Sequence, residues 1–213
     1  FGDVLVINDG SIDKTMFLAK RSGAIVLSNK KNFGYEYSLN VGHSYALKNQ
    51  YEIMITFDAD GQLPYTSIPA FIELIQNGVD IVIGKRIRIK RFTEKILAKL
   101  AFLVCGVADP YCGMKAYNLK ANKQKYFSRY NSVGTALTLD YIEKKLSFKN
   151  VDIKVTSRNG QSKFGGTLMS ELRMLYSLFT GLRKLFLIWV SQKSFFNLTK
   201  KVASQNGKSR SNS

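Results

Sequence analysis

Four short apolar runs, Val4-Leu5-Val6-Ile7, Ala24-Ile25-Val26-Leu27, Ile53 to Phe57 and Ile81-Val82-Ile83-Gly84, alternate with helix-like stretches at 13–21, 35–49 and 68–76. This alternation constrains the fold more than any other feature. A continuous apolar run is a strand covered on both faces, and a helix between two such strands is the crossover that a parallel sheet needs. The chain is therefore expected to be α/β, with a mostly parallel central sheet and helices on both faces. In such sheets ligands bind outside the carboxyl ends of the strands. Segments 8–13, 58–64 and 84–91 each follow a strand, so they should share one rim and hold the chemistry.

The second half is less regular. Phe92 to Cys105 reads as a helix, Lys115-Ala116-Tyr117 as a short strand, Thr135 to Lys145 as a helix and Val151 to Val155 as a strand. Thr167 to Val190 reads as a long amphipathic helix with a break at Gly181. Beyond Thr199 the chain is Lys, Ser, Asn, Gln and Gly with little to bury, which predicts a disordered tail. This divides the chain into a unit at 1–165, an amphipathic helix at 166–192 and a basic tail at 193–213. Two cysteines, Cys105 and Cys112, make neither a disulfide framework nor a four-ligand zinc site and suggest a reducing compartment. No run of 18 apolar residues is present to span a bilayer. The chain opens at Phe1 with no signal-peptide pattern and reads as starting at a fragment boundary.

Charge is unevenly placed. The formal net charge is +17, yet residues 1–60 carry six basic and seven acidic side chains, so the excess lies downstream. A chain split this way is expected to meet something anionic with its second part. Residues 85–99 hold Lys85, Arg86, Arg88, Lys90, Arg91, Lys95 and Lys99 against one acid, Glu94. A solvated basic surface is the plain reading. Nucleic acid is disfavoured, because no zinc finger, RNP signature or zippered basic region accompanies the run. An anionic membrane surface fits better. In the last helix Leu168, Leu172, Leu175, Phe179, Leu182, Phe186 and Trp189 recur at spacings of four and three. Such a stripe suits a core or homodimer helix, or an interfacial one.

The most informative segment is Asp58-Ala59-Asp60-Gly61-Gln62. Two carboxylates at the end of a buried strand are costly without a counter-charge. If the segment is extended, Asp58, Asp60 and Gln62 point the same way and could converge on a hard divalent cation, Mg2+ or Mn2+. The plain alternative is a capped acidic turn. At the end of the first strand, Asp9-Gly10-Ser11 precedes Asp13. Asp9 can accept hydrogen bonds from a base or ribose, and Ser11 or Asp13 can cap the helix that follows.

These segments occur in a fixed order: Val6-Ile7-Asn8-Asp9-Gly10-Ser11-Ile12-Asp13, Asn32-Phe33-Gly34, Asp58-Ala59-Asp60-Gly61-Gln62, Ile83-Gly84-Lys85-Arg86, and Arg158-Asn159-Gly160-Gln161-Ser162-Lys163. The series resembles glycosyltransferase family 2, and more narrowly its dolichol-phosphate mannosyltransferase and polyprenyl-phosphate glycosyltransferase branch. The resemblance implies a nucleotide-diphospho-sugar transferase fold, Rossmann-like, with the amphipathic helix added at its C-terminal end. It implies a nucleotide-sugar donor, a divalent metal and inversion at the anomeric carbon.

By position it gives Ile7, Asp9, Asp58 and Ala59 to the nucleotide, and Asp60 and Gln62, with Asp58, to the metal. Arg86 goes to the diphosphate and the acceptor phosphate, Arg91 to the acceptor phosphate, and Arg158 and Lys163 to a loop closing over the donor. Asp60 and Arg86 carry the catalytic roles. Asp109-Pro110-Tyr111-Cys112-Gly113-Met114-Lys115 matches the family's D-x-x-S-G-F-R segment, with Cys112 for Ser.

Three departures stand out. Asn8 replaces an acid, Lys95 stands where the branch has Ser, and no strand ending in P-x-Y-N-E precedes Phe1. By the resemblance the chain therefore lacks an N-terminal strand and helix. A sugar hydroxyl acceptor needs a general base, and near residue 140 only Asp140 is present where sugar-acceptor enzymes carry an E-D pair. A phosphate is already an anion at neutral pH. The expected acceptor is thus a polyprenyl phosphate, used by a peripheral protein at the cytoplasmic membrane face. The alternatives are a saccharide acceptor and a non-catalytic basic binding protein on a degenerate transferase fold.

Overall fold

The computed structural model describes residues 2–89, 91–123, 134–156, 175–177 and 179–190. In chain order the elements are β1 (Leu5–Asp9), α1 (Thr15–Arg21), β2 (Ile25–Asn29), α2 (Tyr35–Lys48), β3 (Ile53–Thr56), α3 (Ile68–Gln76), β4 (Ile81–Arg86), α4 (Phe92–Cys105), β5 (Lys115–Asn118), α5 (Ala136–Glu143) and β6 (Phe148–Ile153). Residues 179–190 add a helix, α6.

The described strands form two sheets. β1 pairs with β2 in parallel. The larger sheet has the order β3-β5-β4-β6. Within it β4 and β6 are parallel, and β5 runs antiparallel to both β3 and β4. The strands β3, β4 and β6 therefore point one way, and β5 alone points back.

Strand periodicity explains the layers. Along β4, Ile81 and Ile83 join one core with Leu97 and Ala101 of α4, Leu137 and Tyr141 of α5, and Leu185 and Ile188 of α6. Val82 points to the opposite face and packs with Phe71 and Ile75 of α3. Helices thus cover both faces, as the apolar run requires, and all of Ile81–Gly84 is buried. The apolar residues of β1 and β3 are only half-buried, and each of these strands is paired on one side.

The reversed strand positions the site. The chain leaves α4 at Gly106, returns to the rim where β3 and β4 end, and enters β5 there. With Thr56 opposite Lys115, continuing the register brings Asp58 opposite Gly113.

Gly181 does not break the last helix; it lies inside α6. A Cβ there would sit 3.1 Å from both methyl carbons of Leu97, so glycine lets α6 close on α4. The tail at 193–213 and the segment 166–174 lie outside the described residues.

Candidate functional site at the strand ends

Asp58 lies just past β3, in close contact with the backbone of Gly113. A Cβ at position 113 would fall inside its carboxylate. The Tyr35 hydroxyl, from the start of α2, donates to Asp58 Oδ1 at 3.0 Å. Thr56 Oγ1 donates to the Gly113 carbonyl at 2.8 Å and pins the two segments together. Burial pushes the Asp58 pKa up; the Tyr35 bond opposes this, and the nearby Asp60 carboxylate adds to it. Beneath lies Lys115, fully buried, whose ammonium donates to the carbonyls of Pro110 (2.8 Å) and Gly134 (2.9 Å). Burial lowers its pKa, while Asp109, Glu36 and Asp58 pull the other way.

The segment 58–61 is a turn rather than an extended continuation of β3. Asp and Gly favour turns because a carboxylate can bond the backbone two residues on, and Asp60 Oδ1 does accept from the Gln62 N–H at 3.1 Å. The expectation that Asp58, Asp60 and Gln62 point the same way presumes an extended segment, and the segment is not extended. The Gln62 amide is drawn to the Thr156 carbonyl at 3.3 Å, past the end of β6. Among the described residues no group of three His, Cys, Asp or Glu side chains is placed to hold a metal. Asp58 and Asp60 remain an adjacent pair of hard oxygen donors. Their mutual repulsion, on top of the burial of Asp58, is what a dication relieves, so the two carboxylates fit one.

Arg86 ends β4 and faces the same rim. Its Nε donates to Asp109 Oδ2 at 2.7 Å and its Nη2 to Asp109 Oδ1 at 2.9 Å, a bidentate pair. Nη2 also donates to Glu94 Oε2 at 2.8 Å. The Asp109 side chain is 1% exposed, whereas those of Arg86 and Glu94 are 21% and 12% exposed. Burial alone would lower the guanidinium pKa; the bonds and charge of Asp109, then Glu94, more than reverse it, so the cation is locked in. Arg91 occupies the N-cap position of α4, five residues on.

Asp9 and Ile7 both lie on β1. Both Asp9 oxygens are occupied: Oδ1 accepts from Asn29 Nδ2 (2.7 Å) and the Phe33 N–H (3.0 Å), Oδ2 from the Gly34 N–H (2.8 Å). Burial would raise the Asp9 pKa, but these three donors hold it below the usual value. Asp9 thus fixes the loop entering α2, because a carboxylate satisfies several clustered N–H groups at once. The Ile7 side chain lies against α2, 3.7 Å from where a Gly42 Cβ would be. Ala59 is exposed on the turn. Arg158 and Lys163 lie outside the described residues. Asp140 pairs with Lys184 of α6 at 3.2 Å, and Lys184 also meets Glu143.

The sequence reading misses Tyr35 and Glu94. Tyr35 carries no motif signal. Glu94 does carry one, being the single acid in a run of seven bases.

Known proteins resemble this chain in sequence and in fold. A family model described as Glycosyl transferase family 2 matches residues 3–158. A dolichyl-phosphate hexose transferase of Haloferax volcanii is 27% identical over 169 residues, covering 75% of this chain and 72% of that protein. A polyprenol monophosphomannose synthase of Mycolicibacterium smegmatis is 25% identical over 191 residues, covering 79% and 72%. Among solved structures, glucosyl-3-phosphoglycerate synthase from Mycobacterium tuberculosis with Mn2+, uridine diphosphate and its glucosylated product matches with a TM-score of 0.66. The identity is 20%, covering 86% of this chain and 68% of that one, so the likeness is one of fold.

Proposed function

Because the chain belongs to glycosyl transferase family 2, we propose that it moves a sugar from a nucleotide-sugar donor to a polyprenyl phosphate, with inversion at the anomeric carbon. The observation that carries the choice of acceptor is Asp140. Asp140, the acid at the expected base position, is ion-paired with Lys184 of α6, so a hydroxyl acceptor would meet a carboxylate already engaged, and a phosphate needs no base. The names of the Haloferax and Mycolicibacterium relatives point the same way.

In this reading an acceptor phosphate oxygen attacks the anomeric carbon as the bond to the donor diphosphate breaks on the opposite face. Arg86 and Arg91 orient the attacking phosphate, Arg86 also faces the diphosphate, and Arg158 and Lys163 close over the donor. Asp60, with Asp58 beside it, would hold Mg2+ or Mn2+, which when bound neutralises the leaving diphosphate. Tyr35 holds Asp58 in place, and the charge of Lys115 favours its ionised form. The catalytic unit is 1–165, and catalysis is positioning plus electrostatics.

The full-length protein incubated with nucleotide sugars, Mg2+ or Mn2+ and a polyprenyl phosphate is expected to form a lipid-linked sugar. Chelation with EDTA, or Asp60→Ala, should lower the rate by roughly 100-fold or more, the scale of losing one preorganised electrostatic group. Absence of lipid-linked product with every common donor would sink the acceptor assignment. Transfer to oligosaccharides, lost in Asp140→Asn, would favour the saccharide alternative.

An anionic membrane surface is the proposed platform, with the protein peripheral at the cytoplasmic face. No helix of the described residues is long and apolar enough to cross a membrane. α4 carries Phe92, Lys95, Lys99, Phe102 and Leu103 along one exposed face, at spacings of three and four. α6 likewise exposes Phe179, Arg183, Phe186, Leu187 and Val190. Apolar residues interspersed with bases suit an interface that is greasy below and anionic above. Phe179→Ser with Phe186→Ser should weaken partitioning into phosphatidylglycerol vesicles by about 10- to 30-fold, since burying a Phe contributes about 1.5–3 kcal/mol when complete. Unchanged flotation would refute this surface, and a concentration-dependent dimer abolished by the same substitutions would assign it to a second copy.

A further inference from the structure

The Arg86 cluster holds one more anion than its fold requires. A guanidinium has two forks that can grip an oxyanion with two bonds: Nε with one Nη, and the two Nη groups together. Asp109, 1% exposed, fills the first fork and also accepts from the Arg86 backbone N–H at 3.2 Å. Glu94 takes the remaining Nη2 hydrogen, which is half of the second fork. Glu94 sits in the first turn of α4, between Arg91 and Lys95. With Asp109 and Glu94 both ionised, Arg86 belongs to a group of net charge −1, which would repel a phosphate.

We propose that Glu94 is an internal stand-in for the acceptor phosphate: it occupies the outer fork of Arg86 in the free protein, and the phosphate enters by displacing it. This rests on the reading of Arg86 as an acceptor-phosphate ligand. Exchange suits the charges better than addition: counting Arg91 and Lys95 of the same helix turn with Arg86 and Asp109, a phosphate dianion brings the group to zero once Glu94 has left and to −1 if Glu94 stays. Glu94 also keeps Arg86 from gripping adventitious anions, so it sets how strong a phosphate ligand must be to enter. It is therefore a specificity-determining residue and takes no part in bond making.

The test uses decyl phosphate, a soluble phosphate monoester, titrated calorimetrically into the full-length protein and into Glu94→Gln and Glu94→Ala. Both variants should bind it about 3- to 10-fold more tightly than the wild type, and the KM for a polyprenyl phosphate should fall by a similar factor. A melting curve of each variant confirms that it is folded. Wild-type affinity in both folded variants overturns the stand-in and leaves the acceptor reading intact. Weaker binding overturns it in favour of Glu94 as a mere brace for Arg86. No binding of decyl phosphate by any of the three proteins overturns it together with the placement of the acceptor phosphate at Arg86.

Discussion

Arg86→Met is expected to lower the unfolding free energy by about 3–5 kcal/mol and to abolish sugar transfer, whereas Arg86→Lys should abolish most transfer at a smaller stability cost of about 1–2 kcal/mol. The asymmetry follows from Asp109. Its carboxylate is 1% exposed and receives three donor contacts from Arg86, one from the backbone and two from the guanidinium. Methionine fills the space of the arginine stem but leaves that charge buried without the guanidinium that binds it, the situation that makes removing one partner of a buried pair so costly. Lysine restores the charge yet cannot form the side-on fork, nor offer a second fork to a phosphate. Chemical denaturation read by circular dichroism gives the stability difference, and steady-state transfer rates give the other. If Arg86→Lys transfers sugar at more than a tenth of the wild-type rate, forked recognition by Arg86 is not needed and a point charge suffices.

The same residue shows what a sequence reveals and what it conceals. That Ile81–Gly84 is a strand buried on both faces is legible, because a run of apolar residues has no other economical place in an α/β pattern. That Arg86 follows it onto the ligand-binding rim is legible for the same reason. Its partners are not. Asp109 reaches Arg86 because β5 runs backwards between β3 and β4, and strand direction depends on long-range pairing that Lys115-Ala116-Tyr117 does not encode locally. The buried ammonium of Lys115 shows the same limit, since hydropathy places a lysine at the surface.

Asp58 and Asp60 are found where the motif suggests, but the convergence of Asp58, Asp60 and Gln62 presumes an extended chain. The local chemistry of Asp and Gly makes a turn instead. Asp9 reads as a ligand-facing acid from its motif, and the N–H groups of Phe33 and Gly34 that bond it, more than twenty residues away, are not legible locally. The last helix is legible as amphipathic, but only packing tells which face turns inward. Leu185 and Ile188 enter the core, and Phe179 and Phe186 are left outside.

Gly113→Ala is the sharpest test of the reversed strand. Register places Gly113 across from Asp58, and a methyl group there would overlap the carboxylate. The backbone of Gly113 is not in the left-handed region, so alanine meets no conformational penalty and the substitution isolates the steric effect. The carboxylate must then move off the β5 entry, and any shift strains its bond to the Tyr35 hydroxyl. It also alters its distance from Asp60 and Lys115, two of the charges that add to burial and the Tyr35 bond in shifting its pKa. Overpacking of this kind costs about 1–3 kcal/mol in stability. Because a displacement of about 1 Å at a reacting centre costs on the order of 100-fold, kcat/KM for the nucleotide-sugar donor should fall by roughly that factor. The loss should fall on donor and divalent-cation dependence, with the affinity for decyl phosphate at Arg86 unchanged. A Gly113→Ala protein with wild-type donor kinetics would mean that Asp58 is not held against β5 in the working enzyme, and the donor-side carboxylate would have to be Asp60 alone.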